Sequence, residues 1–167
     1  MMKKGGPMNR VSTYFLRAVV LLMGLVAALL LYLILPELNA GWDQASPEIA
    51  GWRYPFTIAL LATTVPFCIA LFQTWKLLGY VDNNKPFSKK SVNALRNIKY
   101  CGIAFSILYI FCLPVVYFVA DNADAPAIMV IGLVMSFAPL VIAVFAAVLE
   151  RLLQSAIAIK SENDLTV

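Results

Sequence analysis

Four long apolar segments constrain this chain more than any other feature of its sequence. They run roughly from Phe15 to Leu35, from Tyr54 to Trp75, from Cys101 to Ala120 and from Ala127 to Leu149. Apart from Arg17 at the start of the first segment, no charged residue lies inside them. A transmembrane helix needs about 20 consecutive, mostly apolar residues. The sequence therefore predicts an all-α fold, an integral membrane four-helix bundle.

The composition excludes most soluble alternatives. Hydrophobic residues make up 62% of the 167 residues and charged residues only 13%, whereas soluble domains are nearer half apolar and a quarter charged. A water-soluble globule of this size could not bury that apolar excess. The first segment is also longer than the apolar core of a cleaved signal peptide, which spans about 7–15 residues. We therefore expect it to remain as the first span of a domain covering residues 15–149.

The basic residues predict how the four spans are oriented. An even number of spans places both termini, and the connection between the second and third spans, on one side of the membrane. That side carries twelve of the 13 Lys and Arg residues, and only Arg53 lies on the other side. Under the positive-inside rule, both termini are predicted to be cytoplasmic. Residues 1–14 then form a basic cytoplasmic N-terminus, and residues 150–167 form a cytoplasmic helical extension that ends in a loose polar tail.

The spans contain no arrangement of residues that is typical of catalysis. The chain has no histidine, which excludes histidine-based acid–base chemistry and histidine-ligated haem or zinc. Cys68, Cys101 and Cys112 lie in apolar segments without a CxxC spacing, so we interpret them as small buried hydrophobic residues. No span contains the buried carboxylate that proton-coupled transport uses. We expect no enzyme activity, no catalytic residues, and no cofactor or metal site.

A basic surface on the predicted cytoplasmic side is the candidate interaction site. Ser88 is a predicted helix N-cap, and Val92, Leu95 and Ile98 follow at helical spacing, which predicts a short basic amphipathic helix up to Tyr100. Such a face suits anionic lipid headgroups or a protein partner. No soluble module is present for direct nucleic-acid binding. The basic residues of this face are Lys85, Lys89, Lys90, Arg96, Lys99, Arg151 and Lys160.

Three prolines inside the spans predict helix kinks, because each removes one backbone hydrogen bond. They are Pro66, Pro114 and Pro139. Thr63 and Ser136 each lie three residues before a proline, where a hydroxyl can help to satisfy the freed carbonyl group. We also expect an empty or lipid-filled groove near Pro66 and Pro139.

Small residues recur four positions apart in two of the spans. The pairs are Gly24 with Ala28, Gly132 with Ser136, and Ala143 with Ala147. This spacing allows helices to approach closely, either within one chain or between two copies in a homo-oligomer.

Three stretches of the chain are similar to a known family. They are NNKPFSKKSVNALRNIKYCG before and into the third span, DNADAP followed by IGLV, and the ending AVFAAVLERLLQSAIAIKSENDLTV. The sequence resembles the bacterial membrane protein family of unknown function 2975, the YoaS-like proteins. The resemblance covers roughly Phe56 to the C-terminus, and IKSENDLTV is its most specific element.

The resemblance implies a four-span protein of the bacterial inner membrane without an assigned activity. Members of the family are often encoded beside a small Cro-like helix-turn-helix regulator, which implies a partner at the cytoplasmic face. No catalytic or binding residues are carried over from the family. We therefore expect a non-enzymatic interaction or regulatory partner of such a transcription regulator, in contact with anionic lipids at the inner face.

Two other functions fit the sequence. A small transporter or permeability element would need a polar path through the spans. The polar residues available for such a path are few: Thr63, Thr64, Gln73 and Ser106. A membrane stress or peptide-immunity protein could use the acidic outer loop between the first two spans. That loop carries Glu37, Asp43 and Glu48, which would attract a cationic peptide.

Overall fold

Every regular element in the part of the chain that the structure describes is an α-helix. The computed structural model describes residues 8–43, 47–82 and 88–165. The helices are α1 (Met8–Asp43), α2 (Pro47–Ala50), α3 (Arg53–Ala62), α4 (Thr64–Asp82), α5 (Lys89–Asn122) and α6 (Pro126–Leu165). Within these residues, four stretches are long and apolar enough to cross a membrane: α1, α3 with α4, α5, and α6. The predicted all-α, four-span architecture is confirmed.

The centre of the bundle is the contact between α5 and α6, which is the most extensive in the molecule. Two glycines allow this close approach. A Cβ atom added to Gly102 would lie 2.7 Å from the carbonyl oxygen of Pro139, and one added to Gly132 would lie 2.7 Å from Cγ1 of Val116. Ser136 and Ala143 are buried on α6. These small residues of α6 therefore pack within the chain.

Helix α1 lies at the edge of the bundle. None of the apolar window of α1 is buried against the rest of the chain. Its main neighbour is α4, where Cδ1 of Leu71 lies 3.4 Å from a Cβ atom added to Gly24. Such exposure is expected of a span whose sides face lipid. The helix also continues through Pro36, where the sequence predicted a loop; spans tolerate proline because neighbouring groups satisfy the freed carbonyl.

The second span consists of two helices that meet at Thr63. The Thr63 amide donates to the carbonyl oxygens of Ala59 (3.1 Å) and Leu60 (3.3 Å). The Thr63 hydroxyl also donates to the carbonyl oxygen of Leu60 (2.6 Å). Pro66 then falls in the first turn of α4, where a missing N–H is tolerated better than in the middle of a helix.

Proline affects α5 and α6 differently from the second span. Both helices continue without interruption through Pro114 and Pro139. The hydroxyl of Ser136 donates to the carbonyl oxygen of Gly132 (2.8 Å). The carbonyl freed by Pro139 belongs to Met135, and the one freed by Pro66 belongs to Ala62. The hydroxyls of Ser136 and Thr63 therefore satisfy other carbonyl groups than the expected ones.

Helices α5 and α6 are longer than a membrane is thick. They contain 34 and 40 residues, or about 50 and 60 Å at 1.5 Å per residue, against a hydrocarbon core of about 30 Å. Residues 88–100 and 150–165 extend beyond the apolar segments at one end of the molecule, and we call them the charged end. Helix α6 reaches Leu165, so the expectation of a loose tail from Ser161 onward is wrong for these residues.

Candidate interaction surface

The charged end begins at a capped helix terminus. Ser88 has an extended backbone (φ −135°, ψ 152°), and its side chain accepts a hydrogen bond from the amide of Ser91, with 3.3 Å between nitrogen and oxygen. Ser91, Val92 and Leu95 are buried on the inner side of this turn. The predicted N-cap is therefore confirmed, and the predicted amphipathic segment forms the first three turns of α5, continuous with the third span.

Glu150 of α6 joins the two helices of the charged end. Its Oε1 accepts a hydrogen bond from Nε of Arg96 and its Oε2 from Nζ of Lys99, both at 2.8 Å. The Glu150 side chain is only 7% exposed, whereas that of Arg96 is 47% exposed. Gln154, one turn further along α6, places Nε2 3.5 Å from Oε1 of Glu150. Two cations from adjacent turns of α5 thus enclose one carboxylate of α6.

The electrostatics of this cluster favour the charged forms. Hydrogen bonds from Lys99 and from Arg96 hold the pKa of the Glu150 carboxyl below its usual value. The hydrogen bond and charge of Glu150 raise the pKa of the Arg96 guanidinium. A nearly buried carboxylate needs such partners, since an unpaired charge is costly to desolvate. The three residues together keep one net positive charge.

The structure divides the seven predicted basic residues into three groups. Arg96 and Lys99 are paired with Glu150. Lys85 lies outside the described residues. Lys89, Lys90, Arg151 and Lys160 are exposed, and no carboxylate in the described part of the chain pairs with them. These four residues are the charge that the surface can offer to lipid or to a partner.

A second feature, which the sequence did not predict, lies at the opposite end of the bundle. A largely apolar cleft of about 720 Å³ opens between α1, α2, α3, α5 and α6, and its lining includes Trp42, Ile49, Phe56, Val115 and Asn122. Neither Pro66 nor Pro139, near which a groove was expected, lines this cleft.

Two tryptophans, Trp42 and Trp52, belong to the connection between the first two spans. They pack on phenylalanines of the protein: Trp42 on Phe56 and Trp52 on Phe111, with 5.8 Å between ring centroids in each pair. Paired tryptophans in a connection between spans were the one signal that could have indicated the cleft.

The cysteines and acidic residues offer little for a metal or cofactor. No three of the Cys, Asp and Glu side chains in the described ranges come together in a metal-binding arrangement. Cys101 and Cys112 are buried in α5, but Cys68 is exposed on α4. The expectation of burial is therefore wrong for Cys68, because the second span also faces the surrounding lipid.

These features define a small helical membrane protein with four spans, a charged end and an apolar cleft. Residues 37–167 match the model of a family described as a protein of unknown function (DUF2975). The chain belongs to this family, as the resemblance indicated. It is 51% identical over 160 residues to the "Uncharacterized membrane protein YoaS" of Bacillus subtilis (strain 168). The matched region covers 96% of this chain and 100% of that relative. No solved structure matches the chain.

Proposed function

We propose that the protein is a non-enzymatic anchor in the bacterial inner membrane that binds a small cytoplasmic helix-turn-helix regulator through its charged end. Both termini face the cytoplasm in this proposal. The observation that carries it is the arrangement around Glu150. This residue fixes α5 to α6 through Arg96 and Lys99, while Lys89, Lys90, Arg151 and Lys160 remain exposed.

The rigid connection matters because a preorganised surface loses less conformational entropy on binding than a flexible one. The positions of Lys89 and Lys90 at the start of α5, and of Arg151 and Lys160 on α6, are fixed relative to each other by the Glu150 pairs. An acidic patch on the regulator would complement this surface, and such complementarity guides association and excludes wrong partners.

Anionic lipid headgroups compete for the same residues. Each basic side chain near an anionic membrane surface contributes about 1 kcal/mol to lipid attraction. The residues of the charged end that lie close to the apolar spans, such as Arg151, therefore also contact headgroups in this proposal. A test of the protein partner must be made in lipid without net charge.

The test is co-purification of the regulator with the full-length protein in phosphatidylcholine nanodiscs. The test variant carries Lys89→Gln, Lys90→Gln, Arg151→Gln and Lys160→Gln. The control variant carries Lys3→Gln, Lys4→Gln, Arg10→Gln and Lys76→Gln, which removes the same charge from the same predicted side. We expect the regulator to be retained by the wild type and the control, and its affinity for the test variant to fall by about tenfold or more.

Two results would contradict the proposal. One is that the regulator fails to bind the wild-type protein above empty nanodiscs. The other is equal retention by the test variant and the wild type, which would exclude the charged end as the binding surface.

A further inference from the structure

The cleft at the end opposite the charged end has the size and the lining of a ligand site. Its volume of about 720 Å³ lies in the range of about 300–1,000 Å³ that is typical of such sites. Trp42 and Phe56 form an edge-to-face pair on its wall. Asn122 donates its amide group to the carbonyl oxygen of Phe118 (2.9 Å), which leaves its side-chain oxygen as an acceptor.

Exposed carboxylates lie next in the chain to residues that line this cleft, and we call these acids the rim. The lining residues Leu38, Trp42, Ile49 and Asn122 each have an acidic neighbour in the chain. The neighbours are Glu37, Asp43, Glu48 and Asp121, and all four are exposed. Only Asp43 has an ion pair among the described residues at this end, with Arg53 at 3.1 Å. Glu37, Glu48 and Asp121, from three separate segments of the chain, therefore carry negative charge that no cation of the described residues neutralises.

An apolar interior, an aromatic wall and an acidic rim together fit one kind of ligand. Aromatic rings attract cations over their faces, and carboxylates at the edge of a low-dielectric cleft strengthen that attraction. We propose that the cleft binds a cationic amphipathic peptide, with apolar side chains inside and Lys or Arg residues on the rim. A peptide fits better than one phospholipid, because the rim acids repel a phosphate group and attract several positive charges.

Binding can be measured through Trp42, with Trp52→Phe and Trp75→Phe introduced so that it is the remaining tryptophan. The probe is a synthetic helical Leu/Lys peptide without tryptophan, titrated into the full-length protein in phosphatidylcholine nanodiscs. A Leu/Glu peptide of the same length and empty nanodiscs measure binding that does not depend on the site. We expect saturable binding of the Leu/Lys peptide alone, with a change in Trp42 fluorescence.

Two variants address the two halves of the site. Gly41 lines the cleft, and a Cβ atom there meets nothing within 4 Å, so Gly41→Leu adds apolar atoms to the cleft from an open position. Gly51→Leu is the matched control, since Gly51 is equally open but does not line the cleft. The rim variant is Glu37→Gln with Glu48→Gln and Asp121→Asn. Its control neutralises three acids at the other end: Asp82→Asn, Glu162→Gln and Asp164→Asn.

We expect Gly41→Leu and the rim variant each to raise the Kd by about tenfold or more, and both controls to leave it within about twofold. Equal binding by all variants, or equal binding of the Leu/Glu peptide, would overturn the proposal. So would a phospholipid that co-purifies with the wild type, disappears in Gly41→Leu and is not displaced by the peptide. The two ends of the molecule are tested separately, so failure here leaves the regulator proposal unaffected.

Discussion

A single carboxylate connects α5 and α6 at the charged end of the molecule. Glu150 is almost inaccessible to solvent, and both of its oxygens accept a hydrogen bond from a cation of α5. Removing one partner from such a buried pair leaves an uncompensated charge. The pairing therefore fixes the register of α5 and α6 just beyond the apolar segments.

Replacement of Glu150 by glutamine should destabilise the protein. Glu150→Gln keeps the shape of the side chain but leaves Arg96 and Lys99 without their anion. Because the Arg96 side chain is 47% exposed, water recovers part of the loss, and we expect about 1–3 kcal/mol. Thermal unfolding in detergent measures the effect. Unfolding is detected by labelling of the thiols of Cys101 and Cys112, which are buried in the folded protein. Glu48→Gln, at an exposed site, is the control and should change the stability little.

The same carboxylate makes the stability depend on pH. The pKa of Glu150 in the folded protein lies below its ordinary value of 4.5 because of hydrogen bonds from Lys99 and Arg96. Its contribution is then complete above the ordinary pKa and is lost as the pH falls through the lowered value. The difference in melting temperature between the wild type and Glu150→Gln should therefore narrow below about pH 4.5. A constant difference down to strongly acidic pH would contradict this assignment.

Local features at the residue scale could be predicted, and distant ones could not. The cap at Ser88 depends on a bond to Ser91, three residues away, and the sequence pattern was sufficient. Glu150 lies 54 residues from Arg96, and their contact depends on the register of two packed helices. Arg96 and Lys99 were therefore predicted to be part of a free basic face, although they are paired.

At the scale of helices, close packing of α5 on α6 depends on the absence of side chains. The nearest atom to a Cβ added at Gly102 would be the carbonyl oxygen of Pro139, and the next would be Cβ of Ala143 at 3.0 Å. A backbone oxygen cannot move aside as the end of a flexible side chain can. Inside a membrane, where lipid is as apolar as the side chains, such van der Waals packing drives helix association.

Gly102→Ala should separate the two central helices locally. The added methyl group forces a shift of backbone, and we expect a loss of about 1–3 kcal/mol in the free energy of unfolding. Gly41→Ala is the matched control, because it places the same group in a helix with nothing within 4 Å and gains helix propensity. The expected loss is measured as the difference between the unfolding midpoints of the two variants in a denaturing detergent. If Gly102→Ala is as stable as Gly41→Ala, the close approach of α5 and α6 is not as described.

The existence of the spans and the helical extension after Leu149 followed from the sequence, but the end of α1 and the last residues of α6 did not. Hydropathy reports where hydrocarbon solvates the chain, and it ends at Leu35 and Leu149. The backbone of α1 continues to Asp43 and that of α6 to Leu165, because helical hydrogen bonds do not require an apolar environment. The break at Thr63 was likewise hidden, since both halves of the second span are apolar.

At the scale of the whole molecule, the two ends carry opposite charge. The charged end presents exposed Lys89, Lys90, Arg151 and Lys160, whereas the cleft at the other end is bordered by exposed carboxylates. The sequence was sufficient to predict this polarity, because it depends only on which connections lie on the same side. The cleft itself could not be predicted, because its wall is assembled from five helices whose packing no single segment specifies.

Cysteine labelling tests which end faces the cytoplasm. In a background where Cys68, Cys101 and Cys112 are replaced by alanine, Lys90→Cys and Gly51→Cys place one exposed thiol at each end of the molecule. Because basic connections are retained in the cytoplasm, a membrane-impermeant maleimide should label only Gly51→Cys in intact cells and both variants after permeabilisation. Labelling of Lys90→Cys before permeabilisation would show that the protein has the opposite orientation. A cytoplasmic regulator could then no longer reach the charged end, while the cleft would keep its chemistry but face the cell interior.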